Sequence, residues 1–179
     1  MLAALIGGRP IAPTPLSFDV ENSTMTVHVG KTGVFAFAGD AHEVTVPISS
    51  GSFDPAHDSV ELTIDANRMQ VQDPPPRRDQ VQANMLGPEV LDAQRYPTIT
   101  FRSEQIQFVG PMQWTVVGDL TLHGQTHPVT VQVDRLDDKH FSGSAEVLQS
   151  AFGITPIEIA GGTVRVQDAV GISFSIALR

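Results

Sequence analysis

Apolar residues recur at every second position through most of this chain. In 118–133, GDLTLHGQTHPVTVQV, Leu120 and Leu122 alternate with Asp119, Thr121 and His123, and Val129, Val131 and Val133 alternate with Thr130 and Gln132. A period of two is that of a strand with one buried face. The intervening turn, Gly124-Gln125-Thr126, holds a glycine able to take the positive φ of a tight hairpin. Two strands therefore meet, and their apolar faces must close over something.

The same alternation predicts strands along the rest of the chain. Early ones cover 16–20, 24–30 with Met25, Val27 and Val29 in phase, 34–37 with Phe35 and Phe37, 42–53 with Val44, Val46 and Ile48, and 59–66 with Val60, Leu62 and Ile64. Pro47 marks an edge or a bulge, because it lacks a ladder N–H. In 98–109, Ile99 and Phe101 fall in one phase and Ile106 and Phe108 in the other, so a bulge is expected near 103–105. Trp114, Val116, Leu120 and Leu122 share a face in the next strand, and 129–136, 141–147 and 171–178 complete the set. Residues 151–165 carry no clear period beyond a turn at Gly161-Gly162.

One stretch breaks the pattern. Asp73-Pro74-Pro75-Pro76 stops any strand, and 77–86 carries Val81, Met85 and Leu86 at helical spacing before Gly87-Pro88. Asp73 is the expected cap, the prolines the first turn and Gly87 the terminator. A helix of about three turns is unstable alone in water, so it must dock those apolar residues on the strands. Every other readable connection is short, which makes 73–92 the candidate gate. About eight antiparallel strands and one helical insert define an all-β barrel or sandwich. The long late strands favour the barrel, and closure removes exposed edges.

Composition narrows the function. The 179 residues suit one domain, here 16–179, preceded by a flexible tail or signal remnant at 1–15. A net charge of −9 disfavours nucleic acid and anionic membrane surfaces, which reward basic patches. Without cysteine there is no disulfide and no thiolate metal site. No run reaches the roughly 18–20 apolar residues of a membrane helix. The apolar run at 2–6 lacks a preceding basic region and is shorter than an h-region of about 7–15 residues. A periplasmic or secreted location is expected, with the cytoplasm as the alternative.

Candidate chemistry is sparse. His123 and His127 flank the hairpin turn and offer two imidazoles to a metal, but a metal site wants three or four ligands. Asp119 with His123 is a conceivable acid–base pair, better explained as a solvated outer face. No Gly-x-Ser-x-Gly elbow, phosphate-binding glycine loop or His-Glu-x-x-His is present. Arg77-Arg78-Asp79 reads as an exposed helix start, with an acidic head group as the functional option. The expectation is a protein that is not an enzyme and uses no metal or cofactor. The alternative is a small β-barrel enzyme or metal-binding protein using His123 and His127.

Tyr96-Pro97-Thr98-Ile99-Thr100-Phe101, Gly118-Asp119-Leu120-Thr121-Leu122-His123-Gly124 and Thr126-His127-Pro128-Val129, in that order, resemble the YceI-like family of bacterial polyisoprenoid-binding proteins. The resemblance runs from residue 16 to the C-terminus. It departs at Asn22-Ser23, where the family usually carries His-Ser, and at Ala151, where it carries an acid before Phe-Gly-Ile. It implies an extended, lipocalin-like antiparallel barrel around an elongated apolar cavity. The implied partner is a polyisoprenoid, an isoprenoid quinone or a related lipid, held for transport or storage, with a homodimer as a candidate assembly. Alternation then assigns the lining to Phe35, Leu62, Ile64, Ile99, Phe101, Trp114, Val116, Leu120, Val131 and Phe174. An eight-stranded barrel either fills with side chains or holds one small ligand.

Overall fold

The computed structural model describes residues 14–32, 42–159 and 164–179. Its strands are β1 (Leu16–Ser17), β2 (Thr24–Thr32), β3 (His42–Thr45), β4 (Ile48–Asp54), β5 (Ser59–Asp65), β6 (Gln70–Val71), β7 (Thr98–Gly110), β8 (Gln113–Leu122), β9 (Gln125–Arg135), β10 (His140–Leu148), β11 (Glu158–Ile159) and β12 (Val164–Ala177), with helix α1 at Arg77–Leu86. The predicted strand at 34–37 falls outside the described residues.

Neighbouring strands run antiparallel in the order β4-β5-β7-β8-β9-β10-β12-β2-β3, with β6 beyond β3 and β11 on β12. Several segments are halves of one strand. β3 and β4 are separated only by Val46-Pro47, where proline has no N–H to give. Strands β1 and β2 are separated by the 18–23 turn. The ring closes through the first half. Leu16 and Ser17 pair with Phe53 and Ser52 of β4, and the Phe18 N–H donates to the Gly51 carbonyl at 2.9 Å. On the other side the Asp19 N–H donates to the Ala177 carbonyl at 2.8 Å, and the Arg179 N–H to the Ser17 carbonyl at 2.9 Å. Twelve strand segments among the described residues thus resolve into a closed barrel of eight lanes.

Local chemistry sets the irregularities. β7 slips register between Ser103 and Gln105, where the hydrophobic phase predicts it. Ser103, in phase with Ile99 and Phe101, is buried just before the slip, and its Oγ accepts the Val60 N–H at 2.8 Å. The β8–β9 turn differs from the sequence reading. It consists of His123 and Gly124, with φ of 52° and 72°, while Gln125 already pairs with Leu122. Two successive left-handed residues make the tight hairpin turn whose twist matches its strands.

The helical insert occupies one end of the barrel, between β5 and β7. α1 has the predicted limits but not the predicted cap. Pro76 holds the N-cap position without a side-chain bond, and the Asp73 carboxylate meets His42 Nδ1 at 2.8 Å. Gly87 ends the helix in extended conformation, its N–H donating to the Asn84 carbonyl. Gln82 clamps the helix to the strand before it. Its Oε1 accepts the Val71 N–H at 2.8 Å, and its Nε2 donates to the Met69 carbonyl at 2.8 Å. Val81, Met85 and Leu86 pack half-buried on the main core, and Leu91 and Ala93 beyond the helix are buried in it.

Candidate functional site: an apolar cavity along the barrel

The barrel encloses a cavity of about 620 Å³. That volume falls within the range of about 300–1,000 Å³ typical of small-molecule sites. Alternation explains the lining: each lane turns every second side chain inward, and those side chains are hydrocarbon or aromatic. Leu62, Ile64, Ile99, Phe101, Trp114, Val116, Leu120, Val131 and Phe174 all line it. Phe35 lies outside the described residues. Val133 stands opposite Trp114 and Val131 opposite Val116, so β8 and β9 offer a continuous apolar strip. Trp114 also meets Phe141 at 6.1 Å and the edge of Phe108 at 6.3 Å between centroids.

The structure adds lining residues that the sequence reading omitted. Phe18, Phe53 and Phe141 come from strands whose period was visible. Met69, Met85, Val90 and Leu91 come from the insert, where a period-two search finds nothing. The remaining lining signal lies in glycines. A Cβ on Gly143 would stand 2.4 Å from the Phe174 ring and 2.3 Å from the Gln132 carbonyl oxygen. One on Gly118 would stand 2.6 Å from the Phe101 ring and 2.4 Å from the Arg102 carbonyl oxygen. Both rings lie down over glycine on a neighbouring strand, a place no other residue leaves open.

Polar groups reach the cavity at few points. Asp58, Arg135 and Asp138 do so from the β4–β5 and β9–β10 turns, at the end opposite the insert, and Gln149 from the turn after β10. Arg135 Nε donates to the Asp137 carbonyl at 3.0 Å, and its terminal nitrogen is paired with the Asp138 carboxylate. In the same turn the Lys139 N–H and then the His140 side chain hold the Asp137 carboxyl below the usual range. His57, followed by the Ala56 N–H, does the same for Asp54 in the β4–β5 turn. At the insert end the Ser150 hydroxyl and N–H lower Asp168.

The histidines stand apart from this cavity. His123 Nδ1 donates to the Phe152 carbonyl at 3.1 Å, and the Tyr96 ring meets its edge at 5.1 Å. His127 packs edge-on against the Phe152 ring at 5.2 Å, with Nε2 3.3 Å from Gln125 Oε1. Phe152 is 1 % exposed. Both imidazoles thus tie the β8–β9 hairpin to the turn after β10. Among the described residues, no three His, Cys, Asp or Glu side chains group to hold a metal ion. Asp119 is exposed on β8, beside Pro128 of β9, and His123 sits in the turn itself, so the two do not form an acid–base pair. Arg78 pairs with Asp79 at 3.4 Å on the exposed helix start.

A closed antiparallel barrel with an apolar interior belongs to the up-and-down barrel class of all-β folds. Residues 16–178 match the YceI-like domain, and the chain belongs to that family. Solved structures share the fold. BcnA of Burkholderia cenocepacia superposes with a TM-score of 0.65 at 23% identity, covering 89% of this chain and 98% of that one. A polyisoprenoid-binding domain from Saccharophagus degradans, implicated in plant cell wall breakdown, gives 0.65 at 14% identity over 92% and 97%. A UPF0312 protein of Vibrio cholerae is 44% identical over 46 residues, which are 26% of this chain and 24% of that protein. The match thus spans about a quarter of the curated relative. Among the described residues, no helix is long and apolar enough to cross a membrane.

Proposed function

We propose that this protein binds a long apolar chain, a polyisoprenoid, isoprenoid quinone or related lipid, in the barrel cavity, and carries or stores it. It acts by binding, not by catalysis. The observation that carries this reading is the wall itself: side chains from strands all around the barrel and from the insert make it apolar apart from a few groups at the turns. Such a wall rewards methylenes and offers little to a polar ligand. Each buried methylene contributes about 0.8 kcal/mol, so about fifteen give roughly 12 kcal/mol before the cost of ordering the chain. The polyisoprenoid-binding domain of S. degradans supports the reading by analogy of fold. A periplasmic or secreted location belongs to the proposal, since such a carrier serves to move a water-insoluble chain between membranes.

Trp114 lines the cavity and is the one tryptophan of the chain. Titration with a prenol should change its fluorescence saturably. Saturating ligand, at about a hundredfold over Kd, should stabilise the fold by about 2.7 kcal/mol. A flat titration with prenyl, quinone and fatty-acyl ligands alike, together with no lipid in an organic extract of the purified protein, would sink the reading.

A further inference from the structure

Among the described residues, the charged side chains that line the cavity all sit at the end opposite the insert, and their balance is negative. Asp58 reaches the cavity from the β4–β5 turn, and Arg135 and Asp138 from the β9–β10 turn. Both turns belong to the same end, with β7 and β8 between the lanes that carry them, so the groups stand on different sides of one mouth. Arg135 is the one cation among the described lining residues, and it is already engaged. Asp138 takes its terminal nitrogen, and the Asp137 carbonyl takes Nε. Asp58 has no cation of its own in the described lining, on a chain that carries −9 overall. The histidines nearby are bound to other acids, His57 to Asp54 and His140 to Asp137. Between and beyond these turns the barrel shows apolar tips to solvent. Phe108 is 67 % exposed, Val109 59 % and Leu136 58 %.

A phosphate or carboxylate entering such a mouth loses water and meets Asp58 and Asp138, and the one cation of the described lining is already paired; Lys139, exposed in the same turn, lies outside that lining. An uncharged head group loses little, and a hydroxyl or amide can donate to either carboxylate. We propose that this mouth selects the ligand by charge: Asp58 and Asp138, with Arg135 held in its ion pair, admit apolar chains with uncharged polar head groups and exclude prenyl phosphates and fatty carboxylates. The inference rests on the cavity being the lipid site. It adds the head-group class and assigns Asp58 and Asp138 as specificity-determining residues.

The test compares geranylgeraniol with geranylgeranyl phosphate, read by Trp114 fluorescence. The alcohol should bind at least about tenfold tighter, and the gap should narrow as salt rises from about 0.02 to 0.5 M, because screening weakens exposed charges. Desolvation of the phosphate alone would open a gap insensitive to salt. In the double variant Asp58→Asn with Asp138→Asn, the phosphate-to-alcohol affinity ratio should rise at least about threefold, since two repelling charges go and Arg135 is released. Asparagine suits position 58, whose φ is 47°. Glu89→Gln, a charge change of the same sign on the insert, should leave the ratio as it was. Equal binding of the two lipids overturns this inference alone, as does a ratio that ignores both salt and the double variant. No binding of either lipid overturns the lipid-carrier reading and this inference together.

Discussion

The two ends of the barrel are built on different principles. At the insert end, order comes from contacts distant in sequence. His42 reaches Asp73, Gln82 clamps Met69 and Val71, and His123 and His127 converge on Phe152 from another hairpin. Leu91 and Ala93 are buried there, at 8 % and 1 % exposure. At the opposite end, short turns satisfy themselves through local carboxylates: Asp54 accepts the Ala56 N–H and Asp137 the Lys139 N–H. Apolar side chains there stay in solvent. Among the described residues, one end is held by tertiary contacts and the other by its own turns.

The wall common to both ends carries the largest expected effect. Leu120 lines the cavity, whereas Thr121 faces outward, its hydroxyl 2.8 Å from that of Thr126. Leu120→Asp should cost at least about 3 kcal/mol, through a buried, unpaired carboxylate, and abolish lipid binding. Thr121→Asp should stay within about 1 kcal/mol. Equal losses of melting temperature would show that the faces are assigned wrongly. A smaller effect separates the ends directly. Val81→Ser with Leu86→Ser should cost about 2–3 kcal/mol by removing half-buried packing, and leave lipid exchange rates unchanged. Val109→Ser with Met112→Ser, at exposed positions of the other end, should leave stability within about 0.5 kcal/mol and alter the exchange rate. Faster exchange in the insert variant would return the gate to the insert.

The smallest effect is common to both ends and shows only in acid. Asp54 and Asp137 at one end, Asp168 at the other and Asp19 at the seam titrate below the ordinary range, because hydrogen bonds favour their charged forms. A lowered folded-state value means that the stabilisation is complete above the unfolded value of about 3.9, and drains as pH falls through the folded values. Melting temperature should therefore drop as pH is lowered from about 4. Asp168→Asn should reduce the drop, since its Ser150 partners lose the carboxylate. An unchanged pH profile in that variant would remove Asp168 from the set.

Period two made the barrel legible, because one buried face is enough to fix which side chains turn inward. That held for Leu62 to Ile64, for Trp114 to Leu120 and, through the phase slip, for the bulge in β7. Closure was not legible residue by residue: residues 16–19 bridge β4 and the end of β12 through backbone groups, which leave no side-chain signature. The sequence places the turn at Gly124-Gln125-Thr126, one residue late, since histidine at positive φ is uncommon and carries no turn signal of its own. Asp73 was read as a cap from its neighbours, yet His42, 31 residues away, holds it. Such a tertiary partner has no local trace. The cavity lining from Met69, Met85 and Leu91 was missed for the same reason.

Gly118 and Gly143 bear on how such a protein changes over generations. Each is a recess one methyl group deep, into which a phenylalanine ring folds flat against the wall. Alanine at either position would press its methyl on the ring and on a carbonyl oxygen of the adjacent strand, so ring and backbone would both have to shift. The bore of the barrel is thereby set at two points by the presence or absence of a single carbon atom. A lineage can narrow the space offered to a chain at these points only by also moving the frame that encloses it.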